Sequence, residues 1–186
     1  VTLLGPQFRE PNLRFALREL GISGPLVAIT AGWQEREGET DELRAHVGAE
    51  RWDQHVTIFS DTDRGASPAS GSTRMHGMVI CPCSMGTISA ISQGTSRSLV
   101  ERAADVMLKE RRRLIVVPRE TPYSQIHLEN MLKLARAGAV ILPANPGFYH
   151  RPQSVAEVVD FIVARILDHL GIEHRLMARW GEDNNG

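Results

Sequence analysis

The sequence of 186 residues contains only two cysteines, Cys81 and Cys83, on either side of Pro82. This spacing is neither the C-x-x-C pattern of redox enzymes nor a pair of zinc ligands, and the two thiols are poorly placed to bridge to each other. The seven histidines form no H-x-x-x-H or H-x-H pair, and no acidic cluster has the spacing of metal ligands. We therefore expect no bound metal, no disulfide and a reducing, cytoplasmic compartment.

An excess of charge of one sign and aromatic side chains are also missing. The 21 lysines and arginines balance 22 acidic residues to a formal charge of −1, and aromatic residues make up 5% of the chain. A protein that follows nucleic acid phosphates needs a strong positive surface, and a platform for single strands needs aromatic faces. The composition thus argues against nucleic acid as a partner.

Lysine is scarce among the basic residues, since only Lys109 and Lys133 are lysines. Nearly all positive charge therefore lies on guanidinium groups, which favour bidentate recognition of phosphate or carboxylate. A composition bias of the source genome is the simpler explanation, so this scarcity alone assigns no ligand.

Long hydrophobic runs and several well-known motifs are absent as well. No stretch approaches the roughly 18 apolar residues of a membrane span, and Gly5, Pro6 and Arg9 interrupt the start of the chain, unlike a signal peptide. There is no G-x-G-x-x-G, Walker P-loop or G-x-S-x-G. We expect no membrane span and no export, and the usual evidence for dinucleotide, P-loop or α/β-hydrolase chemistry is lacking.

What the sequence does contain is an alternation of short apolar runs with longer segments of helical period. This pattern predicts βαβ units around a mostly parallel sheet, and the length predicts a single domain over residues 1–186. The predicted strands are Val1–Leu4, Leu26–Thr30, His55–Phe59, Met78–Pro82, Leu114–Pro118 and Ala139–Pro143, and residues 181–186 are predicted to be a frayed tail.

Helices are predicted at Asn12–Leu20, Glu101–Arg112 and Ser124–Ala137, and a further one follows Ser84. In the third of these, the period places Leu128, Met131, Leu132 and Ala135 on one face. The last helix starts at a capping box of Ser154 and Glu157 and ends at Gly171. Its predicted buried stripe comprises Val155, Val158, Val159, Ile162, Val163, Ile166 and Leu167.

Polar residues follow three of the predicted strands, at the edge where open parallel sheets bind ligands. Ser84 and Thr87 open a helix, which suits an anion but equally suits simple N-capping. Arg119 and Glu120 could hold a phosphate and move a proton, or lie in a solvated loop. Tyr149 either presents its hydroxyl at this edge or packs there. The polar loop 61–74 has the length and composition of a functional loop, whereas the run 111–113 is expected to be a solvated helix end.

Several short stretches taken together carry a resemblance to a known family. From about Gly65 to Glu182 the chain resembles the UbiX-type flavin prenyltransferases, whose motifs occur here in the same order. The stretches are 69–72 (ASGS), 78–84 (MVICPCS), 102–106 (RAADV), 108–112 (LKERR), 119–122 (RETP), 127–132 (HLENML), 146–150 (PGFYH) and 179–180 (RW).

The resemblance implies a three-layer α/β/α, Rossmann-like (flavodoxin-like) fold with a mostly parallel sheet. It also implies a metal-independent enzyme that joins a dimethylallyl group from dimethylallyl phosphate to reduced FMN. Its product, prenylated FMN, would go to a UbiD-type decarboxylase, for example in ubiquinone biosynthesis, and the enzyme would be a homo-oligomer such as a dodecamer. By motif, Ser84, Met85, Thr87 and Arg119 resemble the flavin-binding residues, with Thr30 as a weaker match. Five residues resemble the polar and aromatic set around the prenyl phosphate: Lys109, Glu120, Tyr149, Arg165 and Trp180. Of these, Tyr149, Arg165 and Lys109 would hold the phosphate. Trp180 would face the allylic cation.

The first 60 residues depart from this family pattern. The Gly-Ala-Ser-Gly turn that usually follows the first strand is replaced by Gly5-Pro6-Gln7-Phe8, and the segment also hints at a glutamine-amidotransferase-like start. Two other functions therefore stay open: an FMN-dependent decarboxylase of the cysteine-decarboxylase type, and a flavin-binding protein without catalysis. The choice between prenyl monophosphate and pyrophosphate is open too.

Overall fold

Six strands form one sheet in a computed structural model that describes residues 2–4, 26–30, 44–45 and 48–177. The strands are β1 (Thr2–Leu4), β2 (Leu26–Thr30), β3 (Val56–Ser60), β4 (Gly77–Cys83), β5 (Arg113–Pro118) and β6 (Val140–Ile141). Their order in the sheet is β3-β2-β1-β4-β5-β6, and every described pair is parallel. This is the doubly wound order of a Rossmann-like fold, and the parallel pairing agrees with the alternating pattern of the sequence.

Five α-helices have both ends in the described part of the chain, which also holds a short 3-10 helix at Ser67–Ala69. They are α1 (Ala49–His55), α2 (Met85–Ser92), α3 (Leu99–Lys109), α4 (Gln125–Ala137) and α5 (Val155–Leu170). The predicted helix Asn12–Leu20 and the frayed tail lie outside the described residues. Helix α3 stops three residues earlier than predicted, because Arg111 adopts a positive φ of 55° that no α-helix continues.

The central strands β4 and β5 are buried on both faces, which creates two separate cores. Met78, Ile80, Leu114 and Val116 point to one core, which α2, α3 and α4 cover. Val79, Cys81, Ile115 and Val117 point to the other, which α5 covers with Ile166 and Leu170. The predicted three-layer architecture is confirmed, since alternate residues of a strand face opposite sides of the sheet.

The two cysteines are both free and buried, and they lie in different cores. Residues two apart on a regular strand share a face, but the β4–β5 register shifts between Ile80 and Cys83. The shift turns Cys83 toward the core under α2, whereas Cys81 faces α5. The expectation that the pair forms no disulfide is confirmed.

Serine hydroxyls cap α2, α4 and α5 where the sequence predicts these helices to start, although one capping pattern differs. Ser154 Oγ accepts a hydrogen bond from the Glu157 amide at 3.2 Å, but the Glu157 carboxylate accepts from the amide of Gln153 instead of closing the box on Ser154. The complete capping box belongs to α4. There the Ser124 amide donates to His127 Nδ1 and the His127 amide donates to Ser124 Oγ, both at 3.2 Å.

The buried face of α4 differs from the prediction. Met131 is buried, but Leu128 and Leu132 are 53% and 50% exposed, and Ala135 is exposed. Asn130 and Leu134 take the core side instead, since the Asn130 side chain accepts a hydrogen bond from Ser92 Oγ of α2 at 2.9 Å. The pattern of apolar residues does not predict the burial of Asn130, because a polar amide can be buried when it hydrogen-bonds to a neighbouring helix.

In α5 the second half of the predicted stripe is buried and the first half is not. Val163, Ile166 and Leu167 are buried, whereas Val158, Val159 and Ile162 are half-buried and Val155 is 80% exposed. The sheet covers α5 near its end, where Leu170 contacts Gly77. No helix in the part of the chain that the structure describes is long and apolar enough to cross a membrane.

A pair of leucines on α4 tests this assignment of faces. Leu134→Ala should lower the free energy of unfolding by about 2–4 kcal/mol, because Leu134 is 1% exposed and its loss leaves a cavity. The matched change Leu132→Ala, at a half-exposed position on the same helix, should cost less than about 1 kcal/mol. Urea denaturation of both variants measures the difference, and equal losses would contradict the assignment.

Candidate functional site

The carboxyl ends of β4 and β5 bring the first candidate residues side by side. Cys83 pairs with Pro118, so Ser84 and Arg119 each follow a residue of the same pair. The amide of Ala144 donates to the Pro118 carbonyl at 3.3 Å, which places the start of the loop after β6 at this edge too. Thr30 ends β2, and its backbone pairs with Ser60 at the same edge two strands away from β4. We call this the carboxyl edge.

Ser84 starts α2 at the carboxyl edge. Its Oγ accepts a hydrogen bond from the Thr87 amide at 3.1 Å and shares another with Thr87 Oγ1 at 3.0 Å. The N-capping interpretation is therefore confirmed. The Ser84 hydroxyl pairs with the amide of Thr87 only. The amides of Met85 and Gly86 are the first of the helix and have no helical carbonyl four residues earlier, so they can donate to an anion. The Met85 side chain is buried and anchors this turn in the core.

Arg119 and Glu120 follow β5 directly. Arg119 is exposed, and Glu120 is half-buried with its carboxylate accepting a hydrogen bond from the Thr121 amide at 3.1 Å. That bond holds the Glu120 side chain against its own loop. Because Arg119 and Glu120 are adjacent in sequence, one copy of the chain supplies both the guanidinium and the carboxylate to the carboxyl edge.

Tyr149 belongs to a small aromatic cluster beyond the carboxyl end of β6. Its ring meets His150 and Phe161 edge to face, with centroids 5.6 Å and 6.0 Å away, and His150 stacks on Phe161 at 5.8 Å. A Cβ at Gly147 would lie 2.5 Å from Tyr149 and 3.0 Å from Phe161, so only glycine leaves room for this arrangement. Tyr149 remains 64% exposed. It therefore packs along one side and is accessible to a ligand on the other.

Arg165 lies on α5 one turn after Phe161, the residue against which Tyr149 packs. Because residues four apart on a helix are neighbours, Arg165 lies next to the residue against which Tyr149 packs. Arg165 Nη1 donates to Asp168 at 2.8 Å, and the arginine side chain is about half exposed. The side chains of Tyr149 and Arg165 are therefore both accessible to a ligand from solvent.

Lys109 lies at the opposite end of the sheet. It ends α3 only four residues before Arg113, the first residue of β5, whereas Arg119 and Glu120 come after the last one. Its Nζ pairs with the Glu110 carboxylate against Gly71, where an added Cβ would displace the pair. The hydrogen bond from Lys109 lowers the pKa of Glu110 below its usual value. The structure does not bring Lys109 together with the carboxyl edge of its own chain.

The polar loop 61–74 is held by side chains that the sequence analysis did not single out. Arg112 donates to the carbonyls of Gly71 and Thr73, at 2.7 Å and 2.5 Å, and Arg102 donates to the Ala69 carbonyl at 3.3 Å. The prediction that the whole run 111–113 is a solvated helix end is therefore wrong for Arg112. A planar guanidinium suits two neighbouring carbonyls, and only the folded chain places them within its reach.

Three groups of candidates thus lie in three places. Ser84, Met85, Thr87, Arg119 and Glu120 share the carboxyl edge, Tyr149 and Arg165 share the α5 surface, and Lys109 stands apart. Trp180 lies outside the described residues. Within residues 48–177 and the shorter described segments, no three His, Cys, Asp or Glu side chains are grouped to hold a metal ion.

The buried thiols next to Ser84 give a direct test of this edge. Burial raises the pKa of Cys81 to about 12 and raises that of Cys83 further, so almost no thiolate exists at pH 8. A disulfide reagent such as Ellman's should therefore react with neither cysteine in the folded protein and with both in denaturant. Rapid reaction of either thiol in the folded chain would contradict the buried placement.

Comparison with known proteins relates this geometry to a family. The family model for flavoproteins matches residues 33–167. The flavin prenyltransferase UbiX of Pseudomonas aeruginosa is 61% identical over 129 residues, which are 69% of this chain and 62% of that protein. The flavin prenyltransferase UbiX of Halalkalibacterium halodurans is 49% identical over 180 residues, 91% of this chain and 85% of that protein. The chain thus matches less than two thirds of the first relative and most of the second.

Two solved structures share the fold at comparable similarity. A dodecameric FMN-dependent UbiX-like decarboxylase from Escherichia coli O157:H7 is 35% identical, with a TM-score of 0.80 over 96% of this chain and 97% of the other. The structure of AnUbiX in complex with FMN and dimethylallyl pyrophosphate is 36% identical, with a TM-score of 0.80 over 96% of this chain and 94% of the other.

Proposed function

Because the chain belongs to the family of UbiX-type flavin prenyltransferases, we propose that it joins a dimethylallyl group from dimethylallyl phosphate to reduced FMN. The observation that carries the proposal is the capped start of α2 beside Arg119 at the carboxyl edge. The product, prenylated FMN, would serve a UbiD-type decarboxylase. We also propose that residues 1–186 act as one flavoprotein domain.

The residues at the carboxyl edge fit FMN. The amides of Met85 and Gly86 and the guanidinium of Arg119 offer donors to an anionic group, and the positive end of the α2 dipole adds to them. The Thr87 hydroxyl, already bonded to Ser84, gives a further donor or acceptor. FMN, when bound, supplies the nucleophilic ring that receives the prenyl group.

The phosphate of the prenyl donor needs cations and hydroxyl donors, and these stand on the α5 surface. Arg165 offers several N–H donors and Tyr149 a hydroxyl, and both side chains are at least half exposed. Lys109 adds an ammonium group. Breaking the allylic C–O bond leaves phosphate as an anion. Hydrogen-bond donors that bind the phosphate more strongly as its negative charge grows therefore lower the activation barrier for this step.

Glu120 is the residue placed to handle a proton at the carboxyl edge. Its carboxylate accepts one hydrogen bond from the loop and keeps acceptor capacity to orient a donor or relay a proton from the reacting ring. Trp180 would present an aromatic face to the allylic cation, which cation–π attraction favours. The chemistry assigned to these side chains requires no metal ligand.

The separation of the three groups supports a site completed between copies of the chain. A carboxyl edge from one copy would meet Lys109 from another, since one chain holds these at opposite ends of β5. The half-exposed leucines of α4 and the 80% exposed Val155 leave apolar surface for subunit contacts. We propose a homo-oligomer on the scale of the dodecamer seen in the Escherichia coli neighbour.

Incubation of the anaerobic protein with reduced FMN and dimethylallyl phosphate tests the activity. We expect the flavin to gain the mass of one C5 unit, because the proposed sites hold both reactants and the allylic bond breaks with phosphate as leaving group. Mass spectrometry of the extracted flavin measures this, and a parallel reaction with dimethylallyl pyrophosphate shows which donor is used.

An unchanged flavin mass with both donors would contradict the prenyltransferase proposal. Carbon dioxide release from a peptide with a carboxyl-terminal cysteine would then favour the FMN-dependent decarboxylase. Tight binding of reduced FMN without either reaction would favour a flavin-binding protein without catalysis.

Mixing two inactive variants tests whether subunits share a site. Lys109→Ala and Glu120→Gln should each be nearly inactive, yet their co-expression with different affinity tags should restore activity. In a randomly mixed oligomer, about a quarter of the sites would combine an intact Glu120 from one copy with an intact Lys109 from another. Turnover of the doubly purified assembly measures the recovery.

The control pairs Glu120→Gln with Arg119→Ala. These residues are adjacent in one chain, so every site of that mixture keeps one defect and no recovery is expected. Equal activity from the two mixtures, or none from the first, would show that Lys109 does not act across subunits.

A further inference from the structure

We propose that Asp168, held by His174, is a positioning residue that orients Arg165 toward the prenyl phosphate. This inference rests on the proposed function, because it concerns how the phosphate-binding arginine of that site is held. Asp168 and His174 carry no role in the resemblance to the family or in the reaction described above.

Asp168 joins the two residues through its separate oxygens. Arg165 Nη1 donates to Oδ2 at 2.8 Å, and His174 Nε2 lies 3.1 Å from Oδ1. The amide of Leu176 donates to His174 Nδ1 at 3.3 Å, so Nδ1 is the acceptor nitrogen and Nε2 carries the proton that it donates to Asp168. The imidazole thus performs both tasks in its neutral form.

The histidine makes this contact rigid. The side chain of His174 is 5% exposed, whereas Asp168 and Arg165 are 32% and 51% exposed. An exposed ion pair between two flexible side chains usually samples several conformers and contributes little to stability. Here one partner is tied to a buried ring that follows the Gly171 end of α5, so the carboxylate has a defined place and direction.

The position of Asp168 on α5 is unfavourable for the helix alone. It lies in the last turn, where the partial negative charge of the helix end repels a carboxylate. A cation would suit that place better. The carboxylate is therefore better explained by its two partners than by stability of the helix.

The contact also leaves Arg165 able to bind. Arginine has five N–H donors, and the bond to Asp168 uses one on Nη1. With that nitrogen tethered, the planar guanidinium keeps a defined orientation, and its remaining N–H groups stay available to a phosphate. Ordering the side chain in advance reduces the entropy that phosphate binding must otherwise remove.

Asp168→Asn tests the proposal, because the amide keeps the size of the side chain and one acceptor oxygen for His174, but its NH2 group cannot accept the hydrogen bond from Arg165. We expect the KM for dimethylallyl phosphate to rise about threefold to fivefold, in proportion to the loss of one exposed ion pair, while kcat changes less than about twofold. FMN affinity should be unchanged, and Asp168→Glu should restore most of the KM.

The matched control is Asp53→Asn, which removes the carboxylate of the exposed Arg44–Asp53 pair, far from this surface in the sequence and fold. Its KM should equal that of the wild type. An unchanged KM in Asp168→Asn, a parallel fall in FMN affinity, or an equal effect of Asp53→Asn would overturn the positioning role.

Equilibrium dialysis with dimethylallyl phosphate separates this inference from the proposed function. If the wild type binds the compound without converting FMN, the proposed reaction fails, and the comparison of its dissociation constant between wild type and Asp168→Asn still decides the role of Asp168. A wild-type chain that binds no dimethylallyl phosphate would overturn both proposals.

Discussion

The burial of β4 and β5 on both faces is the constraint on which the rest of the structure depends. Since neither strand has a solvent face along its middle, exposed polar side chains stand only at or beyond its ends, and the parallel pairing aligns those ends. The pair Cys83–Pro118 therefore determines that Ser84 and Arg119 are neighbours. The start of α2 and Arg119 therefore lie at the same part of the carboxyl edge.

The proposed shared site agrees with the same topology. Each helix in a doubly wound fold returns the chain to the start of the next strand, so a residue at the end of such a helix lies at the edge opposite the ligand. Lys109 is such a residue. A phosphate-binding lysine at that position can serve a carboxyl edge only across a subunit boundary, which makes oligomerisation part of the proposed chemistry.

Much of the fold could be predicted because its signals are local. The β2 boundaries, the Ser84 and Ser154 caps and the parallel layers all follow from nearby residues. Which residues are buried was harder to predict from the sequence, since the apolar Leu132 is half exposed and the polar Asn130 is buried. An apolar period shows which faces can be buried, but contact with neighbouring helices decides which face is.

The sequence by itself determined the class of fold, the order of the family motifs and the residue types available for phosphate and flavin. Only the tertiary structure decided which of those residues meet: that Ser84 stands beside Arg119, that Lys109 is far from both, and that Asp168 links Arg165 to His174. The physical reason is that motif identity depends on short stretches of chain. Distances between stretches depend on strand register, helix direction and the packing of the two cores.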